Sequence, residues 1–428
     1  MRVLLSAFGI LLSTASARAD SPNIVLILAD DLGHADTSLV EGSDVSMPHL
    51  DRLAAEGITF TQAYAMGAEC TPSRTALLTG RYAQRQLGLE CAIGTGNVGR
   101  YDDAIALAEQ GQLGLKSESA TLAPLLQSAG YRTAIFGKWH LGYEPHFSPL
   151  KQGFDEFVGF LGGNVEYFEH FELSDIPAYV SGTEPIEREG YLTDLITEDA
   201  LAFLDRTSAG ETPFFLYLPH AAPHFPFQAP EDGDKPTPTS KTWTDGTRDT
   251  YRKMLLSLDQ AIGAVLQKLD ELSLAENTIV IFASDHGAMK PGSNAPFRDY
   301  KGTLFEGGIR VPLAIRWPSR ISAGEIRNEP VTLMDLNPTL LNAAEALPEA
   351  YHSDGLDLLD PAAPIPAQRD LFWRARRGDR TWRAARSGDW KYVSKQESGE
   401  TETWLFELGK DPTESANLID SEIGQATE

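Results

Sequence analysis

A cysteine in a polar setting is the first candidate for chemistry. It stands in Cys70-Thr71-Pro72-Ser73-Arg74, followed by Thr75-Ala76-Leu77-Leu78-Thr79-Gly80-Arg81. Pro72 suits the first turn of a helix and Gly80 its end, so the spacing predicts a helix that opens at Cys70. A thiol at a helix N-terminus meets free N–H groups and the positive end of the dipole, which make it acidic and nucleophilic. The opposing reading of a lone cysteine is a small buried hydrophobe. Polar clusters elsewhere offer carboxylates, cations and imidazoles: Asp30-Asp31, Gly137-Lys138-Trp139-His140, Pro219-His220-Ala221-Ala222-Pro223-His224 and Ser284-Asp285-His286-Gly287.

Those clusters share a place in the hydropathy pattern. Asn23 to Leu28 is a nearly continuous apolar run of strand length, and Asp30-Asp31 follow it. Tyr131 to Phe136, Pro213 to Leu218 and Thr278 to Phe282 are further buried-strand candidates, each delivering one of the other clusters. Helical spacing follows from Leu50 to Gly57, from Ser119 to Ala129 and from Tyr251 to Leu272. Strands alternating with helices predict an α/β fold, and open α/β sheets bind ligands at the carboxyl ends of their strands. Past about Leu340 the pattern changes to a Pro, Ala and Asp-rich stretch and then four short strand-like runs with tight polar turns, predicting a small antiparallel sheet. Gly88 to Glu118 and Pro230 to Asp249 read as long irregular segments bordering a site.

Composition narrows the partners. The 428 residues carry 61 acidic side chains against 36 Lys plus Arg, a formal charge of −25. Counterion release on nucleic acid needs a basic face, so nucleic acid is excluded as the expected partner. A 42% hydrophobic, 23% charged chain has material for a sizeable core and is neither disordered nor collagen-like. Met1-Arg2, the apolar Val3 to Leu12 and Ala17-Arg18-Ala19 predict a signal peptide over residues 1–19 and a periplasmic or secreted protein. That run is too short to span a bilayer and no later segment reaches the length, so no membrane insertion is expected. Cys70 and Cys91 allow at most one disulfide, which would compete with a free nucleophile.

Cys-x-Pro-Ser-Arg over residues 70–74 resembles the signature of the type I sulfatases, members of the alkaline phosphatase-like superfamily whose cysteine is oxidised after translation to formylglycine. Asp30-Asp31, Gly137 to Gly142, Ala222-Pro223-His224, Ser284 to Gly287 and Lys301 to Pro312 look like sulfatase blocks in the family's order, and Leu405 to Leu408 with Asp411-Pro412 and Asn417-Leu418 resembles its C-terminal segment. The resemblance implies an alkaline-phosphatase-like sandwich around a large mostly parallel sheet, with a catalytic sulfatase domain over 20–345 and a C-terminal subdomain with a small antiparallel sheet over 346–428. It implies Ca²⁺ held by Asp30, Asp31, Asp285, His286 and residue 70, of which the three aspartates are hard oxygen donors suited to that ion. His286 stands where many members carry Asn, exchanging an amide oxygen for a ring nitrogen.

The mechanism implied by the resemblance uses the formylglycine hydrate derived from Cys70. One hydroxyl attacks sulfur and expels the alcohol; the second helps eliminate sulfate and restores the aldehyde. Arg74, Lys138 and Lys301 would neutralise the nucleophile and the sulfate oxygens. His140 would move a proton at the hydrate and His224 at the leaving oxygen, with His220 bordering the substrate pocket. The implied partners are a sulfated small molecule or carbohydrate and a formylglycine-generating maturation enzyme. Three functions follow: sulfate monoester hydrolysis, favoured here on a sulfated carbohydrate; phosphonate monoester or phosphodiester hydrolysis; and glycan binding without catalysis, which the filled motif positions disfavour. The −25 charge then demands that positive charge be gathered locally at one strand-end cleft.

Overall fold

Alternate residues of Asn23–Ala29 (β1) face two different cores. Ile24, Leu26 and Leu28 enter one apolar cluster, while Val25, Ile27 and Ala29 enter another on the opposite side. A strand buried on both faces reads as an unbroken apolar run, because the period of two puts every residue in one core or the other. The computed structural model describes residues 21–94, 100–173, 176–208 and 210–421, and the expected signal peptide over residues 1–19 lies outside them.

β1 sits inside a ten-stranded sheet. The others are β2 (Ile58–Phe60), β3 (Arg132–Lys138), β4 (Glu156–Phe160), β5 (Tyr179–Ser181), β6 (Glu184–Pro185), β7 (Phe214–Pro219), β8 (Thr278–Ser284), β9 (Leu313–Arg316) and β10 (Glu325–Arg327). Their spatial order is β10-β2-β9-β8-β1-β7-β3-β4-β5-β6. The five from β8 to β4 run parallel, and β9 and β5 flank them antiparallel. In register, Ala29 pairs with Ser284 and Leu28 with Pro219, so β1, β7 and β8 end level with one another. That alignment delivers Asp30, Asp285 and the residues after Pro219 to one edge of the sheet, beside Lys138 at the end of β3.

Helices cover both faces: α1 (Pro48–Ala55), α2 (Cys70–Thr79), α3 (Asp102–Glu109), α4 (Leu122–Ser128), α5 (Leu192–Thr207), α6 (Arg248–Glu271) and α7 (Leu336–Ala343). α2 opens at Cys70, is buried throughout, and ends at Gly80. Gly80 takes a left-handed φ of 64°, and a Cβ there would lie 2.8 Å from Asn337 Oδ1, so only glycine fits this stop. α6 starts three residues earlier than the apolar spacing suggests, because the Thr247 hydroxyl accepts the Thr250 N–H and caps it. The segment from Gly88 to Glu118, expected to be irregular, contains α3. Asp102 and Asp103 sit in its first turn, favourably placed at the positive end of the dipole.

The C-terminal runs form β11 (Asp370–Arg377), β12 (Arg380–Ser387), β13 (Trp390–Glu397) and β14 (Glu400–Glu407), an antiparallel meander. Its three turns, Gly378-Asp379, Gly388-Asp389 and Ser398-Gly399, are the two-residue links that such hairpins favour. The sheet docks through Trp373, Trp382, Val393 and Phe406 against Tyr64, Leu304 and Phe305. A buried ionic knot reinforces this contact: Lys391 Nζ lies 2.8 Å from both Glu306 Oε1 and Glu414 Oε1, with all three side chains fully buried. Replacing Lys391 by Met leaves two facing carboxylates without their shared cation, and should cost about 3–5 kcal/mol in urea unfolding at neutral pH.

Candidate active site

The N-terminus of α2 points Cys70 into the strand-end edge. Its Sγ lies 3.2 Å from Lys138 Nζ, 3.3 Å from His286 Nε2, 3.5 Å from Asp30 Oδ1 and 3.8 Å from Lys301 Nζ. Small polar residues of the same helix tie it to the strand ends: Ser73 Oγ donates to the Asp285 carbonyl, and Thr71 Oγ1 donates to the His140 carbonyl at 3.0 Å. Arg74 reaches back under the cluster. Its Nε and Nη2 lie 3.1 and 3.0 Å from Asp285 Oδ2, and its Nη1 donates to the Lys138 carbonyl at 3.2 Å. A lysine could not make this forked set of contacts.

Acids and bases alternate around the sulfur. Lys138 Nζ is 2.5 Å from Asp30 Oδ2, and Lys301 Nζ is 2.7 Å from Asp31 Oδ1 and 3.1 Å from His224 Nε2. The lysines therefore arrive paired, which is what allows the fully buried Lys138 charge and the largely buried Lys301 charge to persist. Three side-chain cations, Arg74, Lys138 and Lys301, match three carboxylates, Asp30, Asp31 and Asp285. Asp31 and His140 hold left-handed backbones, with φ of 66° and 58°, a conformation disfavoured outside glycine and concentrated where function dictates geometry.

Titration follows from this mixture. Burial opposes a thiolate at Cys70, yet Lys138, Lys301 and His286 hold the thiol well below its ordinary range. Burial, Asp285 and the Cys70 charge push Asp30 well above the usual carboxylate range, against Lys138. Burial acts the same way on Asp31, but His224, Lys301 and His286 win and hold it low. Burial disfavours protonated His286, whereas Asp285 and Cys70 raise it to about 9. His140 is driven down to about 4 by burial and Lys138, and burial also lowers His224.

The donor set fits a divalent cation. Ligand atoms of Asp30, Asp31, Cys70 and His224, and of Asp30, Cys70, Asp285 and His286, lie within 4.8 Å of one another in each group, and all are buried. Asp31 Oδ2 is a buried oxygen with no hydrogen-bond partner, an exception that calls for a ligand. His286 Nδ1 lies 3.0 Å from the Gly287 carbonyl, which can only accept. The proton therefore sits on Nδ1 in the neutral ring and Nε2 faces the cluster, the orientation a metal-binding histidine takes.

All of the site residues expected from sequence converge here except His220. Its ring is buried and has no hydrogen-bond partner, and burial alone, with no charged group reaching it, holds it down to about 4. An unfolded histidine titrates near 6.5, so between pH 6.5 and 4 the unfolded chain binds a proton that the folded protein refuses. Stability is thus lost as pH falls through that window, by on the order of 3 kcal/mol at pH 4. Urea unfolding from pH 7 to 4.5 should show a shallower pH dependence in His220→Asn; identical slopes would contradict this placement.

Sequence reasoning missed one participant, the Ile93 carbonyl, 2.6 Å from His140 Nε2. A backbone oxygen in an irregular segment carries no residue-type signal. Cys91 is a free, buried thiol in the core, pushed up to about 12 chiefly by burial, and Cys70 is also free, so the two do not form the disulfide considered above.

Comparison with known proteins follows the same residues. A family model described as Sulfatase matches residues 22–346, and one described as N-sulphoglucosamine sulphohydrolase, C-terminal, matches residues 297–427. N-acetylgalactosamine-6-sulfatase of Mus musculus is 35% identical over 375 residues, covering 83% of this chain and 68% of its own length. The solved structure of Ps i-CgsB in complex with k-i-k-neocarrahexaose superposes with a TM-score of 0.81 at 30% identity, covering 95% of this chain and 90% of that one. The PsFucS1 sulfatase from Pseudoalteromonas sp. superposes with a TM-score of 0.71 at 25% identity over 95% and 88%.

Proposed function

The chain belongs to the sulfatase family, and from that premise we propose that it hydrolyses sulfate monoesters of a carbohydrate, using Ca²⁺ and a formylglycine formed from Cys70. It is a sulfuric ester hydrolase with an alkaline phosphatase-like fold. The carbohydrate assignment is supported by relatives named N-acetylgalactosamine-6-sulfatase and by a structural neighbour solved in complex with k-i-k-neocarrahexaose. One observation carries the mechanism: the Cys70 sulfur sits at a helix N-terminus among Lys138, Lys301 and His286, where an anionic sulfate ester and a nucleophile can meet.

Asp30, Asp31, Asp285 and His286 would hold the ion beside residue 70, and when bound it supplies Lewis-acid polarisation of a sulfate oxygen and acidifies an adjacent hydroxyl. Residue 70, converted to formylglycine, supplies the nucleophile as its hydrate.

The remaining steps belong to the chain's own side chains. Lys138, Lys301 and Arg74 neutralise charge on the transferring group in a site from which water is excluded. His224 Nδ1 lies 2.7 Å from the Phe225 carbonyl, so that nitrogen carries the proton of the neutral ring. Nε2 is then left to exchange a proton between Lys301 Nζ, 3.1 Å away, and the leaving oxygen. His140 is bonded through Nε2 to the Ile93 carbonyl, which leaves Nδ1, buried and without a hydrogen-bond partner, to take a proton at residue 70.

The C-terminal sheet, proposed as part of a subdomain over 346–428, reaches the residue before Cys70 through the Arg377–Glu69 salt bridge. A signal peptide would route the protein to the periplasm or medium, where sulfated polysaccharides occur. The reading is tested by comparing turnover of an aryl sulfate with that of an aryl phosphodiester, followed by desulfation of defined sulfated oligosaccharides. Faster sulfate turnover is the expected result, and faster phosphodiester turnover would defeat it.

A further inference from the structure

We infer that Arg377 and Glu69 are positioning residues for His140, a salt bridge from the C-terminal sheet holding the backbone segment whose carbonyl sets that histidine's tautomer. The inference rests on the role given to His140 above. Arg377 ends β11, and its Nη1 lies 2.8 Å from Glu69 Oε1. Glu69 precedes Cys70, its side chain only 8% exposed against 48% for Arg377. Its second oxygen accepts the Ala92 N–H at 2.6 Å. One residue on, Ile93 N–H donates to Thr71 Oγ1 at 3.2 Å, and the Ile93 carbonyl lies 2.6 Å from His140 Nε2.

A carbonyl only accepts, so this contact keeps the proton on Nε2 and leaves a lone pair on Nδ1 for residue 70. The wrong tautomer would present an N–H where a proton acceptor is needed.

The segment from Cys91 to Gly94 is neither helix nor strand, so nothing in its own backbone pairing fixes the Ile93 carbonyl. The fixing comes from outside, from Thr71 on α2, from Glu69 just before it, and from the strand β11 behind them. Besides Arg377, Arg374 Nη2 lies 2.8 Å from Glu90 Oε1, and Arg376 Nη1 lies 3.1 Å from Asp103 Oδ2 with its guanidinium 4.0 Å over the Tyr101 ring. Three arginines of β11 thus hold the loop on both sides of Ile93. Arg377 is the decisive one, because among the described residues Glu69 is the carboxylate that touches both the arginine and the Ala92 N–H. Without Arg377 it is a buried carboxylate lacking its salt-bridge partner, and it turns outward to water, releasing Ala92.

The test measures kcat and KM on an aryl sulfate for Arg377→Ala, Arg377→Lys, Glu69→Gln and the Arg377→Ala/Glu69→Gln double variant, with melting temperatures recorded alongside. Arg377→Ala should lower kcat by about 10-fold or more at an unchanged KM, since a misplaced proton-transfer group loses part of its ~10²–10⁴-fold contribution. Arg377→Lys should restore most of it, and the double variant should be no worse than the worse single one, as expected of residues acting through one contact. In a His140→Ala background, Arg377→Ala should have no further effect. The ¹⁵N resonances of the His140 ring, which need no turnover, should report the Nε2–H tautomer in the parent and a mixture in Arg377→Ala. A raised KM with kcat intact would overturn the inference by making Arg377 a substrate contact, as would a full effect on top of His140→Ala or an unchanged ring tautomer. If the parent, with residue 70 converted, turns over no sulfate ester, the functional reading fails, and the ring resonances still decide the positioning claim.

Discussion

Replacing Cys70 by Ala should lower turnover of an aryl sulfate by about 10⁴-fold or more while leaving the protein folded. The size of the loss follows from removing the nucleophile itself, where catalytic groups acting as a unit lose nearly everything together. The fold should tolerate the change because the sulfur supplies little of the packing. Three cations and three carboxylates remain paired around the position, and the helix itself is anchored by Ser73 and Arg74 on Asp285 and by Thr71 on His140. Cys70→Ser should be as inactive as Cys70→Ala if maturation proceeds through the thiol, because serine offers one hydroxyl on a carbon that carries no aldehyde. The same chemistry has a mass signature: exchanging sulfur and two hydrogens for one oxygen removes about 18 Da from the peptide that contains residue 70. Full activity in Cys70→Ala, or full activity in a sample whose peptide keeps the mass of cysteine, would defeat the proposed nucleophile.

The strand ends that present this chemistry were legible in sequence for a definite reason. β1, β7 and β8 are buried on both faces, so their apolar runs are unbroken and the first polar residues after them mark the edge of the sheet. The short strand-like runs and tight polar turns of the C-terminal meander were equally plain. What sequence could not convey was direction. His220 and His224 stand four residues apart at the end of one strand, yet His224 meets Lys301 and Asp31 while His220 is buried without a partner. The strands β5, β6 and β10 toward the margins of the sheet are two or three residues long, and such short segments are strands only because neighbours pair with them. Arg377 lies 307 residues from Cys70 in the chain, and its contact with Glu69 exists only once the C-terminal sheet has docked.

Removing the divalent cation should have the next largest effect, and its two consequences should differ in scale. With chelator present, activity should fall by about 10³-fold or more, because charge developing on the sulfate oxygens and the nucleophile loses its strongest local counter-charge. The melting temperature should fall by only a few degrees, since a ligand at ~100 times its dissociation constant contributes about 2.7 kcal/mol and the side-chain charges balance without it. Arg74, Lys138 and Lys301 face Asp30, Asp31 and Asp285 one for one, and the His286 proton faces the Cys70 thiolate. Adding a doubly charged cation to that balanced set, with the thiolate replaced by a neutral hydrate, makes the cleft cationic within a chain whose formal charge is −25. This is how an acidic protein can hold an anionic ester: the excess of carboxylates repels at long range, where salt screens it, and the cleft attracts at contact, where salt does not reach. Asp31→Asn is the sharpest probe, because it removes charge at the site carboxylate whose buried oxygen is unpartnered while leaving the Arg74–Asp285 anchor intact. It should be inactive at ordinary calcium concentrations, and its melting temperature should no longer respond to added Ca²⁺. A calcium-dependent stabilisation of Asp31→Asn equal to that of the parent would place the cation elsewhere.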